Sequence, residues 1–268
     1  MLELKNLSLL QARQRWLRKT RWEPMLSEVD LTLAEGELVA LVGGSGEGKS
    51  LLLQSLLGLL PNAIRAEGEI RLDGQPVSPS RLCALRGNTL SYIPQSVSAL
   101  NPLVKTGRQI QRAAGLSGCC PSVDDIAEQL SQYRLSPDLL DRYPLSLSGG
   151  MAKRVLVSCA TLSQSRFILA DEITAWLDSC RAELLMQHLK SLCREGRGVL
   201  WVTHDLHLAA RYADRIAVLH QGTLKETLCA HSLRSGGGSP WVQSLWRSLP
   251  ECGAFGIQQE PVVHAANA

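Results

Sequence analysis

The sequence predicts an α/β protein with a mostly parallel core sheet, an antiparallel β-subdomain beside it and a helical insertion. Three observations carry this. Gly43-Gly44-Ser45-Gly46-Glu47-Gly48-Lys49-Ser50 fits G-x-x-x-x-G-K-[ST] and sits between an apolar run and a helical one. Strand and helix patterns alternate from residue 167 to residue 219. Between about 100 and 160, amphipathic helix patterns replace strands.

The elements follow in order. Leu2 to Leu10 and Ser27 to Leu33 read as strands, the second with alternating Val29, Leu31 and Leu33. Glu37 to Val42 reads as a buried strand and Leu51 to Leu57 as a helix, which Leu60-Pro61-Asn62 stops. Gly68 to Val77 reads as two short strands around an Asp-Gly turn, and Thr89 to Pro94 as a further buried strand. In the insertion, Asp124 and Asp125 open an amphipathic helix, and a second helix is expected from Ser136-Pro137-Asp138. Strands at 167–170, 198–202 and 215–219 then alternate with helices at 181–194 and 206–212, implying a parallel sheet with helices on both faces. Ser235 to Pro240 reads as a flexible joint, Trp241 to Leu249 as a short amphipathic helix, and the remainder as a disordered tail. The expected division is a main α/β domain over 1–234, with a helical subdomain at about 97–160, and a C-terminal helix and tail over 235–268.

The glycine-rich stretch names a ligand. Glycines let consecutive N–H groups turn inward around phosphates at the positive end of a helix dipole. Lys49 supplies a positive charge for the β- and γ-phosphates of ATP, and the Ser50 hydroxyl can ligate Mg²⁺. Residues Gly43, Gly44, Ser45, Gly46, Glu47, Gly48, Lys49, Ser50 and Leu51 form the expected nucleotide-binding set. Phe167-Ile168-Leu169-Ala170-Asp171-Glu172 is an apolar strand ending in two acids, where open α/β sheets place their ligands. Asp171 is positioned to hold Mg²⁺, and Glu172 to accept a proton from an attacking water.

Composition narrows the class. The 268 residues are 45% hydrophobic and 20% charged, ordinary for a globular chain, and a net charge of +3 gives no argument for nucleic acid. Arg13, Arg15, Arg18, Lys19 and Arg21 cluster, which reads as a solvated hairpin face. The eight cysteines form no C-x-x-C pair, so reduced thiols in the cytosol are the simplest reading. No apolar run of about 18 residues exists, so membrane association would come through a partner.

Tyr143-Pro144-Leu145-Ser146-Leu147-Ser148-Gly149-Gly150-Met151 narrows it further. This resembles the signature sequence of ATP-binding cassette (ABC) ATPases, and its distance from Asp171 is typical of that family. Physically, Ser148, Gly149 and Gly150 at a helix start form a second anion nest. One chain has no need of two γ-phosphate nests, whereas two chains packed head to tail would use both. The resemblance implies further roles. Gln95 is similar to the glutamine that touches Mg²⁺ and the attacking water, and His204 to the switch histidine that contacts the γ-phosphate. Asp178 is similar to the aspartate that communicates across the dimer. His207 gives His204 the spacing of a metal pair, but a solvated helix start is the reading adopted. Trp22 is the candidate to stack on adenine, with Trp16 second.

Gln95 to Leu103, Tyr143-Pro144 and Ser239-Pro240-Trp241 to Leu245 resemble the peptide/nickel importer branch. Val42 to Gly46, Gly68-Glu69-Ile70, Gly74 to Pro79 and Ala84 to Gly87 resemble the nickel-importer ATPase; only Cys252 follows where peptide members carry a cysteine cluster. The implied function is ATP hydrolysis driving uptake of nickel or a metal chelate. A di- or oligopeptide importer, a soluble ABC ATPase and a slow regulatory half of a dimer remain as alternatives. Implied partners are a second ABC ATPase subunit in a heterodimer, two integral-membrane permeases and an extracytoplasmic binding protein, at the cytoplasmic face of the membrane. Four departures from the family pattern stand out. Glu47 occupies a position that is usually small and is expected to point to solvent. Ile173 replaces a proline, Trp176 a small residue, and Ala152-Lys153 an Arg-Gln pair.

Overall fold

Two sheets with different hydrogen bonding share one layer of apolar side chains. The structure is a computed structural model and describes residues 1–13, 21–175 and 177–248. In chain order its elements are β1 (Leu2–Arg13), β2 (Arg21–Leu33), β3 (Leu38–Val42), α1 (Lys49–Leu56), β4 (Ile64–Leu72), β5 (Gln75–Pro76), α2 (Pro79–Leu85) and β6 (Leu90–Ile93). The helical insertion follows with α3 (Thr106–Gly115), α4 (Val123–Gln132) and α5 (Gly149–Thr161). The chain then runs through β7 (Phe167–Asp171), α6 (Ser179–Arg194), β8 (Gly198–Thr203), α7 (Leu206–Tyr212), β9 (Arg215–His220), β10 (Thr223–Cys229), α8 (Ala230–Arg234) and α9 (Pro240–Ser248).

The larger sheet has the order β10-β9-β3-β8-β7-β6, parallel throughout except for β10. Strands buried on both faces must be apolar at every position, and β3 and β8 are buried at each residue. The two-residue period then divides them. Leu38, Ala40 and Val42 face a core built with α3 to α7, while Val39 and Leu41 face one built with α1 and the smaller sheet. The smaller sheet is antiparallel, in the order β2-β1-β4-β5.

Several expectations change. Helices lie on both faces of the parallel sheet as expected, but on one face α1 and α2 share the cover with the antiparallel sheet. The first two strands run longer than their alternating cores, because each residue from Gln11 to Arg13 pairs with one on β2 from Arg21 to Glu23. The helix expected from Ser136 is a 3-10 turn, Pro137–Asp141, that stops where Arg142 becomes extended. The joint at 235–240 is tied down: Gly237 N donates to Ser232 O at 2.7 Å and Ser239 N to a Glu226 carboxylate oxygen at 2.9 Å. Beyond it α9 packs on the larger core through fully buried Val242, with Leu245 and Trp246 partly buried beside it. Arg15, Trp16, Arg18, Lys19, Trp176, Leu249 and the tail lie outside the described residues. Among the described residues no helix is long and apolar enough to cross a membrane.

Candidate nucleotide site

The loop after β3 turns on two glycines in the left-handed region, Gly46 at φ 80° and Gly48 at φ 92°. A side chain at Gly48 would meet Leu26 of β2 at 3.0 Å, so both conformation and space call for glycine there. Gly48 also caps α1 without a side-chain bond, leaving the first N–H groups of the helix open to an anion. Lys49 is folded back into the loop, its Nζ donating to Gly43 O at 2.9 Å and Gly44 O at 2.6 Å. Leu51 is partly buried against the core between the sheets.

Parallel pairing of β3, β8 and β7 brings the strand ends together, and Asp171 and Glu172 arrive there. Asp171 is 2% exposed; Ser50 Oγ donates to its Oδ1 at 3.0 Å and Tyr92 Oη to its Oδ2 at 3.3 Å. Burial raises its pKa, and these two hydrogen bonds oppose that rise. Burial and the Asp171 charge likewise push the Tyr92 phenol upward. Sequence reading missed Tyr92; its only signal is a hydroxylated ring on the strand leading to Gln95.

Glu172 holds a positive φ of 45°, a conformation a residue with a Cβ adopts at a cost of about 1–3 kcal/mol. Its N–H donates to Val202 O at 3.0 Å, and its side chain meets two predicted partners. Gln95 Nε2 donates to Oε2 at 2.7 Å, and His204 Nδ1 lies 3.7 Å from Oε1. Sequence positions 95, 172 and 204 therefore converge.

Lys153 was noted in the sequence only as a departure from pattern, yet it is 2% exposed on α5. Its Nζ donates to Pro94 O and Gln95 O, each at 2.7 Å. Burial lowers its pKa to about 8, with attraction to Asp171 and Glu172 acting the other way.

The remaining predicted residues are not gathered into this cluster. Ser148 caps α5 by accepting from Met151 N at 3.3 Å, and Ser148 and Gly149 are exposed. Among the described residues no hydrogen bond joins Ser148, Gly149 or Gly150 to the phosphate loop. Asp178 caps α6, accepting from Arg181 N at 2.9 Å and pairing with the Arg181 side chain; that backbone N–H first of all lowers its pKa. Trp22 is 40% exposed on β2, in the same strand as Leu26. Ile173, in place of the proline, is fully buried in the larger core.

Two expectations are corrected. Glu47 does not point to solvent. Its side chain is 16% exposed and lies along Gly43 and Gly44, with Oε1 3.1 Å from His220 Nδ1 and 3.5 Å from Gln221 N. An imidazole facing the loop draws it inward. His207 is not a solvated helix start either, because its ring lies 4.8 Å from that of Trp246 on α9.

A cradle of open helix N–H groups and a lysine beside a Ser–Asp pair and a strand-end glutamate suits a nucleoside triphosphate. Comparison with known proteins agrees. The family model for ABC transporters matches residues 26–175. The oligopeptide transport ATP-binding protein OppD of Lactococcus lactis is 34% identical over 86% of this chain and 71% of its own. The nickel import ATP-binding protein NikD of Pseudomonas putida is 36% identical over 82% and 88%. Among solved structures, a dimeric bacterial ABC transporter cassette matches with a TM-score of 0.74 at 28% identity, over 86% of this chain and 99% of that one. A post-hydrolysis form of that cassette, bound to ADP and Pi, matches equally. The chain belongs to the ABC transporter family. Within it, the chain is an ATPase of the peptide/nickel importer branch.

Proposed function

We propose that this ATPase powers uptake of nickel or a metal chelate through two integral-membrane permeases, fed by an extracytoplasmic binding protein. It works at the cytoplasmic face of the membrane, residues 1–234 forming the ATPase domain, in a heterodimer with a second ABC ATPase subunit. The observation that carries the chemistry is the 2.7 Å bond from Gln95 to Glu172, next to the 3.0 Å bond from Ser50 to Asp171.

In this reading residues 43–51 cradle the phosphates of ATP, and Lys49 exchanges the carbonyls of Gly43 and Gly44 for phosphate oxygens. The hydroxyl of Ser50 and the carboxylate of Asp171 are hard oxygen donors suited to Mg²⁺. With its amide nitrogen given to Glu172, Gln95 offers its oxygen to the same ion. When bound, Mg²⁺ neutralises phosphate charge. Glu172, held by Gln95, takes the proton of the attacking water, and His204 donates to the γ-phosphate. Trp22 stacks on adenine. Ser148 and Gly149 are exposed and Gly150 is half-buried, an accessible nest that would close on the other subunit's nucleotide, with Asp178 communicating across the same junction.

Peptide cargo is the second reading, favoured by the 34% identity to OppD. The glutathione import protein GsiA of Salmonella choleraesuis, 31% identical over 85% of this chain and 39% of its own, points the same way. The deciding experiment is ATP turnover of the complex with candidate permeases and a binding protein loaded with nickel, nickel–metallophore or peptide. Stimulation by either nickel form supports the proposal, stimulation by peptide alone replaces it with the second reading, and turnover indifferent to every permease removes the importer role.

A further inference from the structure

Neighbouring residues of α5 tie two different parts of the protein together. Arg154 reaches outward into the helical insertion, its Nη1 donating to Tyr133 O at 2.7 Å. Lys153 reaches the opposite way, its ammonium held between the consecutive carbonyls of Pro94 and Gln95 at the end of β6. The next bond in the series runs from the Gln95 side chain to Glu172 at 2.7 Å.

Burying an ammonium is costly, and hydrophobic side chains of similar volume often serve stability as well as buried charged groups do. A buried lysine whose ties end on the backbone of one functional loop therefore calls for a role beyond packing. The two ties are short and charge-assisted, so the Pro94–Gln95 peptide follows α5 when the helix shifts. Since α5 is capped by Ser148 and starts at Gly149, the Lys153 side chain gives a displacement of that exposed end a direct polar route to Gln95.

We propose that Lys153 is a positioning residue for hydrolysis, a strut that transmits the placement of α5 to the Gln95 backbone and so sets Gln95 on Glu172. This rests on the reading of Gln95 and Glu172 as the groups that handle the attacking water. Lys153 touches neither nucleotide nor water; it acts through Gln95.

The test is a double-mutant cycle in the full-length chain, read as kcat and KM for ATP alongside thermal midpoint. Lys153→Met should lower kcat about tenfold while KM stays within about twofold, since the phosphate cradle is untouched. Combined with Gln95→Ala it should cost no more than Gln95→Ala alone. Lys153→Gln, which keeps a donor on a shorter stem, should retain turnover within about threefold, and it serves if the Met variant does not fold. Multiplying losses, or a Gln variant as impaired as the Met variant, would overturn the strut. Unchanged kcat in Lys153→Met with a loss in Gln95→Ala would also overturn it while leaving the roles of Gln95 and Glu172 standing. A harmless Gln95→Ala would instead remove the reading on which the proposal rests.

Discussion

Glu47 Oε1 lies 3.1 Å from His220 Nδ1, so the phosphate loop is pinned to the end of β9. The His220 ring lies 4.8 Å from that of Trp241 on α9, extending the connection to the C-terminal helix. The second carboxylate oxygen, Oε2, is buried and accepts no hydrogen bond among the described residues. A negative charge is thus held inside a loop built for phosphates.

That placement predicts tighter nucleotide binding when the charge is removed. A carboxylate about 8 Å from a phosphate charge costs about 2 kcal/mol at an effective dielectric of about 20, and the neighbouring imidazole offsets part of it. Glu47→Ser is expected to lower the Kd for ATP about three- to tenfold, and His220→Ala, which removes the imidazole facing the carboxylate, to raise it. Fluorescence titration with a nucleotide analogue measures both. Weaker binding in Glu47→Ser would mean that the pin shapes the loop more than its charge repels the ligand.

The two acids at the end of β7 have different environments and separate in function. Glu172→Gln keeps shape and volume but removes the proton acceptor, so turnover is expected to fall roughly 10²–10⁴-fold with ATP binding retained. Asp171→Asn instead alters the group bonded to Ser50 and should weaken Mg²⁺-dependent nucleotide binding. Equilibrium binding with and without Mg²⁺, set beside turnover, separates the two. Equal loss of binding and turnover in Glu172→Gln would contradict a general-base role.

Much of this site was legible because its parts are local motifs. The phosphate loop, the acids after an apolar strand and the Ser-Gly-Gly cap each carry their spacing within a few residues. The parallel sheet was legible because strands buried on both faces read as unbroken apolar runs. Contacts made by long side chains across the fold were not legible. Glu47 met His220 because β9 lies beside β3, and Lys153 met the Gln95 backbone because α5 crosses the end of β6. Neither pairing leaves a periodicity. The antiparallel subdomain was legible as well, but alternation within β1 and β2 marks a half-buried strand without saying which face of the larger sheet it covers.

The two sheets are also joined at their rim by charge, and that joint is expected to be acid-sensitive. Arg166, just before β7, donates Nη1 and Nη2 to the two Asp73 carboxylate oxygens, each at 2.9 Å, and also pairs with Glu35. Hydrogen bonding from Arg166, and next from the Met1 amine, holds the Asp73 carboxyl far below the usual carboxylate range. With a depressed folded-state pKa, the stabilisation is complete above the unfolded value near pH 4 and is lost as pH falls through the folded value. The thermal midpoint should therefore drop more steeply between about pH 5 and pH 2.5 in the parent than in Asp73→Asn. Because both side chains are roughly half exposed, 1 M salt should shrink the difference. Parallel profiles for the two proteins would show that the cluster adds nothing to acid stability.

Gly68 supplies the last prediction, on stability alone. It sits in β4 at φ 96°, and a Cβ there would lie 2.2 Å from Asn6 O, inside any allowed contact. The register between β1 and β4 slips between Lys5 and Ser8, where Asn6 itself has φ 48°, so the two strands approach most closely where one of them bulges. Backbone on both sides leaves no flexible side-chain end to yield. Gly68→Ala therefore combines a left-handed conformation with a backbone clash, and it is expected to cost roughly 2–4 kcal/mol of folding free energy. Gly74→Ala is the control, because it shares a positive φ of 77° but meets no atom within 4 Å, and its cost should be only about 1 kcal/mol. Urea unfolding of both variants measures the difference, and equal losses would assign the whole effect to backbone conformation and none to the contact with Asn6.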